Sequence, residues 1–239
     1  MRRALGTFTL SMMLLAGCAT KPVKPVVAVP VAAPAEPAPT GWRATASATD
    51  QMRVDGLPGM WKQALAQVPA RLRPKVTAEG ALLEADGAQT LPELSPGSYL
   101  CRLIRLGGPR GYVSYKPDFC YITDEGEKRS FTKQTGMLLP GGWLFADTEK
   151  RQIFLGTNRA VASGTAPPYG INASRDIAAV VERVAPFRWR MVVPHGSGGA
   201  VLDIYELVPI PPKVPGAGPV VGPRAGQHNV DRTKNGLKT

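Results

Sequence analysis

From Tyr99 onward, apolar and polar residues alternate in short runs separated by turn-forming residues. A period of two puts successive side chains on opposite faces of a pleated strand, whereas an amphipathic helix repeats at three and four. The runs are Tyr99–Leu106, Tyr112–Ile122 with a break at Pro117, Lys128–Thr135, Trp143–Ala146, Arg151–Thr157, Asp176–Val184, Phe187–Val193 and Val201–Val208. In Phe187-Arg188-Trp189-Arg190-Met191 the aromatic and aliphatic residues face one way and the arginines the other. Gly107-Gly108-Pro109-Arg110-Gly111 joins the first two runs, and His195-Gly196-Ser197-Gly198-Gly199 the last two. Consecutive short strands with tight turns predict an antiparallel meander, either a closed barrel or a sandwich. Closure would remove exposed strand edges.

Upstream the period changes. Leu57, Met60, Trp61, Ala64, Leu65 and Val68 form one apolar stripe that Pro69 ends, which predicts a helix. Gly56 and Gly59 weaken its start, and a second short helical or irregular segment is expected through Lys75 to Glu84. The fold class is therefore mainly β with an N-terminal helical segment, over residues 42–208.

Both flanks read differently. Residues 1–18 have a basic start (Arg2, Arg3), an uncharged stretch from Ala4 to Leu15, and the ending Leu15-Ala16-Gly17-Cys18. A membrane-spanning helix needs about twenty apolar residues, so this stretch is the length of a signal-peptide core. Its last four residues resemble the lipobox of bacterial lipoproteins. That resemblance implies lipidation of Cys18 and anchoring in the membrane, and Ala19 favours the outer membrane with the domain facing the periplasm. Residues 19–41 carry Pro22, Pro25, Pro30, Pro34, Pro37 and Pro39 among Val and Ala, an extended linker. Residues 209–239, rich in Pro and Gly and then polar, are expected to be a disordered basic tail.

The chain carries a net charge of +11, and +9 once Arg2 and Arg3 are removed. Export argues against nucleic acid as partner; an anionic envelope component or a protein fits better. With Cys18 lipidated, Cys101 and Cys120 remain, and in an oxidising compartment they are expected to form a disulfide. Direct pairing across the first hairpin requires a bulge, which Lys116-Pro117-Asp118 could supply. A bridge to another part of the sheet is equally allowed.

Several blocks, in order, carry a resemblance to a family. They are Pro96-Gly97-Ser98-Tyr99-Leu100-Cys101-Arg102-Leu103-Ile104-Arg105-Leu106-Gly107, Phe119-Cys120 and Phe131-Thr132-Lys133-Gln134-Thr135-Gly136. Ile153-Phe154-Leu155-Gly156, Tyr169-Gly170, Arg175-Asp176, Val181-Glu182-Arg183, Phe187-Arg188-Trp189-Arg190 and Asp203-Ile204-Tyr205-Glu206-Leu207 follow. Over residues 45–208 the chain resembles domain of unknown function 4893, known from alphaproteobacterial envelope proteins. The resemblance implies a paired-cysteine envelope domain and no particular activity.

Residues for chemistry are sparse. His195 and His228 are the two histidines, so a histidine-based metal site is not expected, and no phosphate-cradling glycine loop precedes a helix. No cofactor is expected. His195 and Ser197 sit in a glycine-rich turn, where hairpin geometry explains them as well as catalysis does. Asp176, Glu182, Asp203 and Glu206 could form a hydrolytic carboxylate pair, but alternation puts Asp203 and Glu206 on opposite faces. Arg102, Arg105, Arg188 and Arg190 lie in otherwise apolar strands, with Arg188 and Arg190 on one face and Arg102 opposite Arg105. Buried arginines need partners, and Asp176, Glu182 or Glu206 could serve, or else an anion bound in a cleft. The expected function is a non-enzymatic binding or structural lipoprotein; a cell-wall enzyme or enzyme inhibitor is the alternative.

Overall fold

A computed structural model describes residues 40–126, 128–162 and 168–211. The signal segment with Cys18, the linker up to Pro39 and the tail from Pro212 lie outside the described residues.

The strands are β1 (Gly97–Leu106), β2 (Tyr112–Ser114), β3 (Asp118–Glu125), β4 (Lys128–Lys133), β5 (Leu139–Thr148), β6 (Arg151–Arg159), β7 (Asp176–Ala185), β8 (Arg188–Pro194) and β9 (Leu202–Pro209). Neighbours in sequence pair antiparallel from β3 to β9, and β9 returns to β1 from Leu106↔Leu202 to Tyr99↔Pro209. β2 and β3 share one edge of β1, opposite Ile104–Leu106 and Gly97–Cys101. They act as one strand interrupted at Tyr115-Lys116-Pro117, so the closed antiparallel barrel has eight staves. Of the two architectures the alternation allows, the chain adopts the barrel.

The interruption is a bulge. Cys101 faces Asp118 and Ile104 faces Ser114, so two residues of β1 oppose three on the other side. Cys120, opposite Tyr99, thereby comes diagonal to Cys101, and the two form a disulfide across a Cα separation of 5.9 Å. One sequence expectation needs correcting. Phe187 belongs to the turn before β8, at φ 55° and 74% exposed, because the β7–β8 reversal needs a left-handed residue there.

Strand alternation builds two cores. Inward-facing Tyr99, Leu103, Ile122, Phe131, Phe154, Val181, Trp189 and Met191 fill the barrel. Outward-facing Ile104, Ile153, Leu155, Val180, Val192 and Ile204 pack under a helical jacket. The jacket comprises α1 (Trp42–Thr45), α2 (Ala48–Asp55), α3 (Leu57–Ala66), α4 (Arg73–Ala78) and a 3₁₀ turn at Gly80–Leu82. Ser47 caps α2 by accepting from the Asp50 amide, and Val54, Leu57, Trp61 and Ala64 face the barrel. Because the jacket buries a second face, Ile153-Phe154-Leu155 and Ala178–Val181 are apolar without alternation. Gly107, at φ +75°, lets α3 sit directly on the β1–β2 loop, where a Cβ would lie 2.9 Å from the Ala64 Cα. Among the described residues, no helix is long and apolar enough to cross a membrane.

Candidate functional site: the mouth of the barrel

The four arginines singled out by the sequence fall into two places. Arg102, Arg188 and Arg190 project outward beneath the jacket, whereas Arg105 projects into the barrel. Outside, register aligns Arg102 with Glu206, Glu206 with Arg190, Arg190 with Glu182, and Glu182 with Arg151. The result is a row of alternating charge across five neighbouring strands. Arg102 bonds Glu206 and Glu79, each at 2.6 Å, and Arg188 bonds the other Glu206 oxygen at 2.6 Å. Glu79, at the end of α4, also accepts from the Tyr112 hydroxyl. The Arg102 guanidinium holds the Glu79 carboxyl below the usual range, against the opposing effect of burial. Arg190 pairs with Glu182 at 2.7 Å and lies 4.8 Å above the Trp61 ring. These three arginines join jacket to barrel, and carboxylates already receive them.

Arg105 marks the barrel end at which β1 finishes and β9 begins. Its terminal nitrogens donate to Tyr115 Oη at 3.0 Å and Ser197 Oγ at 2.6 Å, and its Nε lies 3.5 Å from Asp203 Oδ1. Asp203, 3% exposed, accepts from both the amide and the hydroxyl of Ser197 through Oδ2. Burial raises the Asp203 pKa, and the Ser197 bonds only partly oppose it. Lys133, fully buried nearby, donates to Asp118 at 2.7 Å and to the Met137 carbonyl at 3.0 Å.

A cavity of about 390 Å³ opens at this end. Its inner wall is Leu138, Asn158, Ile177, Val193 and Tyr205; its outer lip is Asp50, Arg53, Ser174 and Asp176. Tyr205 is 2% exposed, yet its hydroxyl has no hydrogen-bond partner among the described residues and is not sealed from solvent. Burial and the nearby Asp203 carboxylate push the phenol pKa up, so Tyr205 stays neutral and able to donate. Pockets of this size with few convergent polar groups are the usual form of small-molecule sites, and barrel mouths are a favoured location.

The opposite end carries a larger apolar groove of about 880 Å³ between Tyr99, Tyr121, Phe187 and Pro211. There the Tyr99 hydroxyl is already taken by the Ser95 carbonyl, so no comparable polar set converges. No group of His, Cys, Asp and Glu among the described residues could hold a metal ion. The Ser197 hydroxyl is held by Asp203 and Arg105, and His195 makes no bond to it among the described residues.

Asn158, Arg175 and Tyr205 had no assigned role in the sequence reading. Strand parity held a clue, since Tyr205 shares the inward face with Asp203 and Leu207. Nothing local marks Asn158 or Arg175.

Fold and site define the class: a disulfide-pinned antiparallel β-barrel, jacketed by helices on one side and open at one mouth onto a polar pocket. The chain belongs to the family described as Domain of unknown function (DUF4893), whose model matches residues 42–207. No curated protein and no solved structure matches it.

Proposed function

We propose that this chain is a lipid-tethered envelope protein, acylated at Cys18 and facing the periplasm, whose barrel mouth binds a small polar ligand. The observation that carries the binding role is the Tyr205 hydroxyl: unpaired among the described residues, on a side chain that is 2% exposed and lines the cavity. That hydroxyl reaches solvent, so a bound water serves it in the free protein, and a ligand oxygen can take the water's place. Binding is favoured over two-carboxylate hydrolysis because Asp203 is already engaged by Ser197 and Arg105.

Two measurements test the two halves. Intact-mass analysis of protein extracted from membranes should show a lipid-bearing N-terminus at Cys18, and Cys18→Ser should move the protein to the soluble periplasmic fraction. A fragment library screened by NMR should give shifts clustered on Asn158, Val193 and Tyr205, and Val193→Trp should abolish them. Shifts scattered over the surface, or unchanged by Val193→Trp, would refute the binding role.

A further inference from the structure

We infer that the mouth pocket takes a small monocarboxylate, received by the Arg175 guanidinium, the Asn158 amide and the Tyr205 hydroxyl. The inference rests on the pocket being a ligand site, as proposed above, and adds the chemical class.

The polar groups that the protein itself leaves free define what the pocket can receive. On the acceptor side little remains. Asp50 accepts from Arg53 at 2.8 Å and from Tyr169 at 2.5 Å. Asp176 Oδ2 accepts from the Gly170 amide, and Asp203 Oδ2 from Ser197. The other oxygens of Asp176 and Asp203 make no hydrogen bond but are sealed from solvent, so an entering molecule does not meet them.

The donors are different. Arg175 bonds through Nε alone, to the Asn158 carbonyl at 2.9 Å, so both terminal nitrogens are unpaired among the described residues. Asn158 Oδ1 accepts from the Leu139 amide at 2.6 Å, which leaves its NH₂ unpaired. The Tyr205 hydroxyl is unpaired among the described residues, and its side chain lines the pocket. Apart from the His195 imidazole at the rim, which can accept as well as donate, what enters the pocket meets N–H and O–H groups, so a molecule bearing acceptors fits it best.

Charge and shape narrow the class. A guanidinium presents two parallel N–H donors that match the two oxygens of a planar carboxylate. Among the charged lining residues Arg53 is paired with Asp50 and Asp203 with Arg105, so Arg175 and the adjacent Asp176 are what remains, too little positive charge for a dianion such as phosphate. Leu138, Ile177 and Val193 suit a short aliphatic body behind the carboxylate. The receiver is also held in place beforehand. The Asn158 amide donates to the Arg175 carbonyl at 2.9 Å while Arg175 Nε donates back to the Asn158 carbonyl. A receiver fixed in advance loses less freedom on binding.

The test is calorimetric titration of the purified full-length protein with hexanoate, hexanamide and inorganic phosphate, with NMR to locate the site. Hexanoate should bind saturably, and hexanamide about tenfold more weakly or worse, because it loses the charge-assisted bonds. Arg175→Gln should weaken hexanoate by a similar factor, and Tyr205→Phe by several-fold. Should Arg175→Gln fold poorly, Arg175→Lys keeps the charge without the fork and should give an intermediate loss. Equal affinity for hexanoate and hexanamide, tighter binding of phosphate, or indifference to both Arg175 variants would overturn the carboxylate while sparing the pocket. Absence of any binding at the mouth, from these probes and the fragment library alike, would remove the pocket reading and this inference together.

Discussion

Arg190 is the largest side chain that the fold removes entirely from water. Its Nε pairs with Glu182, and its terminal nitrogens donate to the carbonyls of Ala81, Leu82, Glu84 and Ala85. Those carbonyls belong to the Gly80–Leu82 turn and the segment after it, and the Glu84 carbonyl also accepts from the Gly87 amide at 3.1 Å. One guanidinium thus neutralises a carboxylate on β7 and caps the end of the jacket. Lysine lacks the fork needed for both tasks. Arg190→Met should lower stability by about 3–5 kcal/mol, as breaking a buried pair usually does, measured by urea unfolding. Adding Glu182→Leu should restore only part of the loss, because the carbonyls of Ala81, Leu82, Glu84 and Ala85 still lack the guanidinium. Full restoration by the double variant would show that the ion pair alone matters.

At the scale of elements, a glycine's response to a side chain depends on where it lies, and Gly142 and Gly156 differ in sign from Gly59. Gly142 on β5 and Gly156 on β6 are register partners. A Cβ on Gly142 would lie 2.3 Å from the Gly156 Cα, and one on Gly156 would lie 2.3 Å from the Gly141 carbonyl and 2.5 Å from the Phe154 ring. That ring packs edge-on against Phe131, with centroids 5.7 Å apart, so it has little room to yield. Gly142→Ala or Gly156→Ala should cost about 1–3 kcal/mol. Gly59 lies inside α3 with nothing within 4 Å of its missing Cβ, so Gly59→Ala should stabilise by about 0.5–1 kcal/mol. Thermal unfolding checks both, and a stabilised Gly156→Ala would contradict the packing described. The Cys101–Cys120 bridge closes a loop of sequence separation 19, so the paired alanine variant should lose about 3 kcal/mol in the chain-entropy model. The same contrast explains what could be read from sequence. The strands showed themselves because Trp189 and Met191 point in while Arg188 and Arg190 point out, and the bulge because Pro117 cannot join a ladder. α1 and α2 gave no usable stripe, being short and rich in polar residues. Of the partners of Arg102, Glu206 was among the acids the strands offered, whereas Glu79 was not, since it ends a helix whose docking only the whole fold decides.

At the scale of the whole molecule, barrel and jacket meet along an apolar face bounded by the charged row, and that row makes their union pH-dependent. Glu79 is its link to α4, bonded to Arg102 and Tyr112 and 3.7 Å from Arg188. Its folded pKa lies below the ordinary value of 4.5, chiefly through the Arg102 bond. A carboxylate depressed in the folded state contributes stability that is complete above the unfolded value and is lost as pH falls through the folded one. Asp203 has the opposite sign, because burial raises its pKa above 3.8 and protonation on acidification then favours the folded chain. The two effects act on different parts of the molecule, Asp203 at the mouth and Glu79 at the jacket. Acidification below about pH 4.5 should therefore loosen the jacket before the barrel. Hydrogen exchange of the full chain across this range should show protection falling in α2, α3 and α4 while β6–β9 stay protected. Glu79→Gln should weaken the jacket already at neutral pH and flatten its acid response, leaving the strands as they were. If jacket and barrel lose protection together in the wild type, the two cores unfold as one unit, and the charged row is not the seam along which they part.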